Sequence, residues 1–131
     1  MEKLMPVAHV LGRVILGLIF VGAGLSKIMG DHGATMQYMQ QMGVPGFLFW
    51  PAALFELLAG LAVLVGFKTR IAGLLLAGFC GLTAVLFHAN FTDPMQMGMF
   101  LKNFAMMGGY LMLMVAGAGG YSVDSRKISA D

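Results

Sequence analysis

The sequence predicts an all-α integral membrane protein, an antiparallel four-helix transmembrane bundle with both termini cytoplasmic. Three observations predict it. Hydrophobic residues make up 59% of the 131 and charged residues only 11%, against about 25% charged in soluble proteins. Four apolar stretches of about 20 residues, the length that crosses a bilayer, fill most of the chain and leave a single domain, 1–131. Lys3, Lys68, Arg70, Arg126 and Lys127 fall on one side of such a bundle, with only Lys27 and Lys102 on the other, so the positive-inside rule assigns the termini to the cytoplasm. A net charge of +2 without a basic cluster points to no nucleic acid, and the partner implied by composition is the lipid bilayer.

The first span runs over about 7–28. Lys3 ahead of an apolar stretch is reminiscent of a signal peptide, but Arg13 inside the run and the lack of a small-residue cleavage site argue for an uncleaved span. At about 100° per residue, Arg13, Gly17, Phe20, Gly24 and Lys27 share one stripe. Ionised Arg or Lys in hydrocarbon costs about 2.5 to 3.5 kcal/mol by insertion scales, and glycine lets a neighbouring helix approach. The stripe therefore faces inward.

After it, Met29 to Gly46 breaks the hydrophobicity. Met36, Met39 and Met42, three residues apart with Gln between, fit a short amphipathic helix in the membrane interface. The second span, about 47–66, opens with FLFWP, which sets Trp50 where an aromatic belt belongs. Its inward stripe reads Phe49, Ala52 or Ala53, Glu56, Gly60 and Val63. The short link Phe67 to Arg70 makes the second and third spans antiparallel neighbours.

The third span, about 71–88, carries Gly73, Ala77 and Gly81 at small-xxx-small spacing. The lone Cys80 lies mid-run, so there is no internal disulfide or CxxC, and it reads as a small core residue. Ala89 to Gly98 is expected to be a loop with Asp93-Pro94 as its turn pair. Asn90-Phe91-Thr92 matches a glycosylation sequon but hugs the membrane. The fourth span, about 99–117, holds Lys102 and Asn103 in its first turns, and the tail GGYSVDSRKISAD follows.

Glu56 is the one acid inside an apolar run, about 13 Å below the outer start of its span. Lys27, His88 and Asn103 come near it in depth, and the four form a candidate polar pocket, open to the outer face, for a ligand or a proton. Intramembrane ionisable residues mark functional sites by default. The competing account is that these groups only satisfy one another and hold four helices in register. Arg13 lies deeper toward the cytoplasmic face, where Asp124 is the expected ion-pair partner.

GRVILGLIFVGAGLSKI, GVPGFLFWPAALFELLAGLAVLVGFKTRIAGLLL, His88 and FLKNFAMMGGYLMLMVAGAGGYSVD together resemble the DoxX family of small bacterial membrane proteins. Arg13, Lys27, Glu56, His88, Asn103 and Asp124 fall where that family's pattern has polar positions. The resemblance implies a four-helix bundle in the bacterial inner membrane, linked to redox physiology. Related proteins include DoxD-type subunits of thiosulfate:quinone oxidoreductase and partners in a membrane oxidoreductase complex.

A membrane haem needs two facing axial side chains, and His9, His32 and His88 offer no such pair. No cysteine cluster or phosphate-cradling glycine loop is present, so electrons would come from a partner, a soluble or membrane oxidoreductase. This chain's contribution would be a quinone site, with Glu56 and His88 handling protons and Phe47, Phe49 or Trp50 against the ring. Thirteen methionines, with Met95, Met97 and Met99 as MxMxM, raise Cu(I) binding, since thioethers select it. Methionine equally fills irregular packing, and no metal site is assigned. Two readings stand: a redox-associated subunit with a small-molecule pocket, and a non-enzymatic assembly or retention partner for other proteins, as surfeit-locus cargo receptors of similar fold suggest. Transport comes third, because alternating access with four short spans would require a homo-oligomer.

Overall fold

The computed structural model describes residues 1–130, with side chains through Arg126. Lys127, one of the cations in the orientation argument, thus has a side chain outside the described residues. Among the described residues there is no strand, and four helices are long and apolar enough to cross a membrane. These are α1 (Leu4–Met29), α3 (Phe49–Val65, preceded by a 3-10 turn Gly46–Leu48), α4 (Thr69–Phe87) and α5 (Pro94–Ala116). Two short helices complete the chain, α2 (His32–Gln41) between the first two spans and α6 (Val123–Ala130) in the tail.

The polar stripes of α1 and α3 turn toward each other. Arg13, Gly17, Phe20 and Gly24 are the buried residues of α1, and Phe49, Ala53, Glu56, Gly60 and Val63 those of α3. A Cβ on Gly17 would lie 2.7 Å from Leu64 Cα, one on Gly60 2.7 Å from Val21 N, and one on Gly24 2.8 Å from Leu57 N. Rising numbers on α1 meet falling numbers on α3, so the pair is antiparallel, and glycine is what lets the backbones touch. On the opposite face of α1, Leu4, Val7, Leu11, Ile15 and Leu18 are exposed, the apolar stripe a lipid-facing helix needs.

α4 packs on α5 by the same device. The small residues Gly73, Ala77 and Gly81 turn inward, Gly73 against the Tyr110 carbonyl and Gly81 against Met107 Sδ. Between the two pairs the core is bulkier, with Phe20, Leu76, Tyr110 and Leu113 buried and Leu16, Phe55, Phe79 and Met106 against them.

The helix ends differ from expectation in places. α5 begins at Pro94 rather than Met99, because the Asp93 carboxylate accepts the Met95 N–H at 3.0 Å and Pro94 occupies the first turn. Asp-Pro here is a helix start, not a loop turn. α1 begins at Leu4, with Pro6 in a first turn whose N–H groups have no intrahelical acceptor anyway. α4 begins at Thr69 and stops at Phe87, leaving His88 as its C-cap. The connection from α3 turns on Gly66 at φ 74° and Lys68 at φ 45°.

α1, α3, α4 and α5 thus define a terminal end, carrying both termini and the α3–α4 turn, and a far end, carrying α2 and the α4–α5 loop.

Candidate functional site

Toward the far end, the Lys27 ammonium lies 2.5 Å from both carboxylate oxygens of Glu56. Each residue is delivered by its helix stripe: Lys27 follows Gly24 by three residues, and Glu56 follows Ala53 by three, where Gly24 packs on the Ala53 and Leu57 backbone. The side chain of Glu56 is only 4% exposed, while that of Lys27 is 35% exposed. The carboxylate is therefore held inside the bundle by a cation whose stem reaches its surface, as a snorkelling lysine does. An ammonium has three N–H groups, so the pair can both hold a proton and present a donor to a ligand oxygen.

The other two expected pocket residues sit in separate pairs on α4 and α5. Asn103, buried, donates from Nδ2 to the Thr83 hydroxyl at 3.2 Å, and that hydroxyl donates to the Phe79 carbonyl at 2.8 Å. His88 Nδ1 is 3.0 Å from Gln96 Oε1 across the α4–α5 loop. The structure brings Lys27 and Glu56 together, then, and places Asn103 and His88 with partners of their own. Cys80, 1% exposed, lies in the core.

Arg13 is buried at the terminal end, and its partner differs from the expected direct ion pair. Its guanidinium donates to the carbonyls of Ala118 and Tyr121, the latter at 2.7 Å. Asp124 acts on it as a longer-range Coulomb attraction, because both carboxylate oxygens are turned to the start of α4, accepting the N–H of Lys68 at 2.8 Å and of Thr69 at 2.9 Å. Positive φ at Gly117 and Gly119 folds the tail back so that its carbonyls face α1.

Several polar residues here were not singled out by the pattern. His9, one turn before Arg13 on the same stripe, donates from Nε2 to the Gly117 carbonyl at 2.7 Å. Arg70 donates to the Met114 and Val115 carbonyls, answering the negative end of α5. Tyr110, fully buried, donates its hydroxyl to the Leu16 carbonyl at 2.7 Å. At the far end His32 donates from Nε2 to the Ile28 carbonyl, with its ring 4.8 Å from that of Trp50 and 5.2 Å from that of Phe49. His9 was recoverable from its spacing to Arg13, whereas Tyr110 in an apolar run carried no signal of its own.

Met95 and Met97 lie on α5 rather than in a loop. Two residues apart on a helix, Met95 and Met97 point about 200° away from each other, so the three methionines of MxMxM do not share one face. Among the described residues no group of three His, Cys, Asp or Glu side chains is placed to hold a metal ion. Two surface hollows lie at the terminal end, one beside Pro6 and His9 and one beside Thr69 and Arg70, away from Lys27 and Glu56.

Residues 8–89 match the model of the DoxX family. That span includes Arg13, Lys27, Glu56 and His88 and stops short of Asn103 and Asp124. The chain is 46% identical over 124 residues, 95% of each sequence, to inner membrane protein YqjF of Escherichia coli (strain K12). It is 33% identical over 129 residues, 92% of this chain and 91% of the other, to inner membrane protein YphA of the same organism. A 77-residue stretch, 59% of this chain and 57% of its counterpart, is 42% identical to a Bacillus subtilis (strain 168) protein named "Putative oxidoreductase CatD". No solved structure matches.

Proposed function

The chain belongs to the DoxX family, and on that footing we propose that it is a small inner-membrane subunit of redox metabolism whose Lys27–Glu56 pair is a proton- and ligand-handling site for a quinone. Four membrane-spanning helices give it direct access to molecules dissolved in the bilayer. The observation that carries the reading is the pair itself, a nearly buried carboxylate clasped at 2.5 Å by a lysine that still reaches the surface. A purely structural pair would be better served by two buried apolar residues, because burying charge is costly and apolar replacement is often neutral or stabilising. Electrons would come from a partner oxidoreductase, and a link to redox chemistry is in keeping with one relative's being itself named an oxidoreductase.

In this reading the termini are cytoplasmic, so the pair faces the outer half of the membrane. Lys27 supplies a donor to a quinone carbonyl, and Glu56 exchanges the proton. Asn103, through Thr83, adds a second polar wall, and His88 lies at the rim.

The test is quinone content and complementation measured together. Wild-type protein purified in mild detergent should retain quinone extractable by solvent, and Glu56→Gln should fold, lose most of that quinone and fail to complement a deletion strain. A folded Glu56→Gln protein that complements fully would transfer the protein to the assembly or retention role.

A further inference from the structure

The four long helices resolve into two tight pairs, each consuming its small and polar residues internally. In α1/α3, Gly17, Gly24 and Gly60 bring the backbones together, and Lys27 binds Glu56. In α4/α5, Gly73 lies against the Tyr110 and Met114 backbone, Gly81 makes room for the Met107 thioether, and Thr83 binds Asn103. Between the pairs lie aromatic rings instead: Phe20 against Phe79 at 5.7 Å, Phe55 against Phe79 at 5.2 Å and Phe20 against Tyr110 at 5.7 Å. Apart from the α3–α4 turn, the pairs meet over far less backbone than the helices within each pair.

The polar ties across this seam are unevenly distributed. At the terminal end His9 and Arg13 hold the Gly117, Ala118 and Tyr121 carbonyls, and the Asp124 N–H donates to the Gly66 carbonyl at 2.9 Å. Toward the same end, Tyr110 reaches the Leu16 carbonyl at 2.7 Å, one residue before Gly17, which meets Leu64. At the far end the tie is Tyr38 of α2, whose hydroxyl stands 3.5 Å from the Phe87 carbonyl while its ring stacks on Phe87. An O–H donor at that distance is beyond the usual range of about 2.5 to 3.0 Å. One end is clamped and the other is held by a ring contact.

We infer that the two helix pairs hinge about the terminal end and part at the far end along the Phe55–Phe79 seam, seating a planar ring with an oxygen at either edge between Lys27–Glu56 on one wall and Thr83–Asn103 on the other. Glu56 is ten residues from Gly66 and Thr83 fourteen from Thr69, so they stand about 15 and 21 Å from the terminal turn, both beyond the midpoint of their helices. Each wall keeps a donor: two of three ammonium N–H groups face Glu56, and one of two Asn103 amide N–H groups faces Thr83. The rings of Phe55 and Phe79 supply edges and faces for an aromatic or quinonoid plane. The occupant rests on the quinone reading above, whereas the hinge rests on the distribution of ties alone.

The test uses the full chain in lipid nanodiscs, in a Cys80→Ala background. Spin labels at Leu54→Cys and Leu101→Cys report the far end, and labels at Leu11→Cys and Met112→Cys report the terminal end, all at exposed positions. Without ligand, the far-end distance distribution should be the broader, and decylubiquinone should lengthen the far-end distance and leave the terminal one fixed. Equally narrow distributions at both ends, unmoved by decylubiquinone, would overturn the hinge. Binding is followed separately by quenching of Trp50. A disulfide between Tyr38→Cys and Phe87→Cys should weaken decylubiquinone binding at least about tenfold, with reduction restoring it. Unquenched Trp50 at saturating decylubiquinone, alongside a broad far-end distribution, would remove the occupant and leave the hinge standing; tight binding to the cross-linked protein would overturn the seam as its seat.

Discussion

Asp124 caps α4 from the opposite end of the sequence, its carboxylate accepting the Thr69 N–H at 2.9 Å while its second oxygen takes the Lys68 N–H at 2.8 Å. Two of the orphan donors that any helix start leaves are thereby satisfied by a residue beyond the last span. Together with Arg13 on the Ala118 and Tyr121 carbonyls, this makes the tail a structural part of the bundle. Replacing Asp124 by Ala should lower stability by about 0.5 to 2 kcal/mol, the range for losing a capping side chain, and Asp124→Asn should cost less. Thermal unfolding in detergent, followed by circular dichroism, checks this. Equal melting temperatures for wild type and Asp124→Ala would refute it.

The glycines of the α1/α3 contact should be intolerant in proportion to how close the opposing backbone lies. Gly60→Ala would put its Cβ 2.7 Å from Val21 N, and rigid helix backbone cannot yield cheaply. A loss of about 1 to 3 kcal/mol is expected from overpacking of this kind. Gly22, with nothing within 4 Å of its Cβ position, is the control, and Gly22→Ala should be neutral or gain up to about 1 kcal/mol through helix propensity. Matching melting temperatures for the two variants would contradict the packing.

Tyr110→Phe removes the hydroxyl that joins α5 to the Leu16 carbonyl. Ring packing persists, so the expected cost is that of one net hydrogen bond, about 0.5 to 1.5 kcal/mol. A larger loss would mean that the hydroxyl does more than join these two helices.

How much of this was legible in advance can be argued from the stripes. Arg13, Gly17, Phe20 and Gly24, and opposite them Phe49, Ala53, Glu56, Gly60 and Val63, are the buried positions that helical periodicity singles out. The reason is that only an inward face tolerates charge and glycine in a bilayer. Partners were less legible. Arg13 is satisfied by main-chain carbonyls, which every residue possesses and no side-chain pattern marks. Thr83, which receives Asn103, is a single hydroxyl in an apolar run. Asp93-Pro94 did carry a readable start signal, a cap followed by proline at the first helical position, but the same dipeptide equally marks turns.

Cytoplasmic termini are the orientation that charge predicts, with Lys3, Lys68, Arg70, Arg126 and Lys127 at one end against Lys27 and Lys102 at the other. Reporter fusions after Gly43 and after Arg126 should show the first outside and the second cytoplasmic. Activity of a periplasm-dependent reporter at Arg126 would invert the assignment, and with it the leaflet that the Lys27–Glu56 pair faces.

The two members of that pair should respond unequally to removal of the other. In Glu56→Gln the remaining ammonium is on a side chain already 35% exposed, and it can turn outward along its flexible stem. In Lys27→Met the remaining carboxylate is 4% exposed and has lost the cation clasping both oxygens. Breaking a buried pair costs about 3 to 5 kcal/mol when the orphan stays charged and buried. Lys27→Met should therefore approach that range and Glu56→Gln should fall well below it. Adding Glu56→Gln to Lys27→Met should recover much of the loss, because the orphaned charge disappears, and a double-mutant cycle reads that recovery as coupling energy. Function should separate from stability in the same set. If the carboxylate exchanges a proton with a bound quinone, the double mutant will be stable yet still fail to complement a deletion strain, as Glu56→Gln alone will. A double mutant that regains both stability and complementation would make the pair a structural clasp and nothing more.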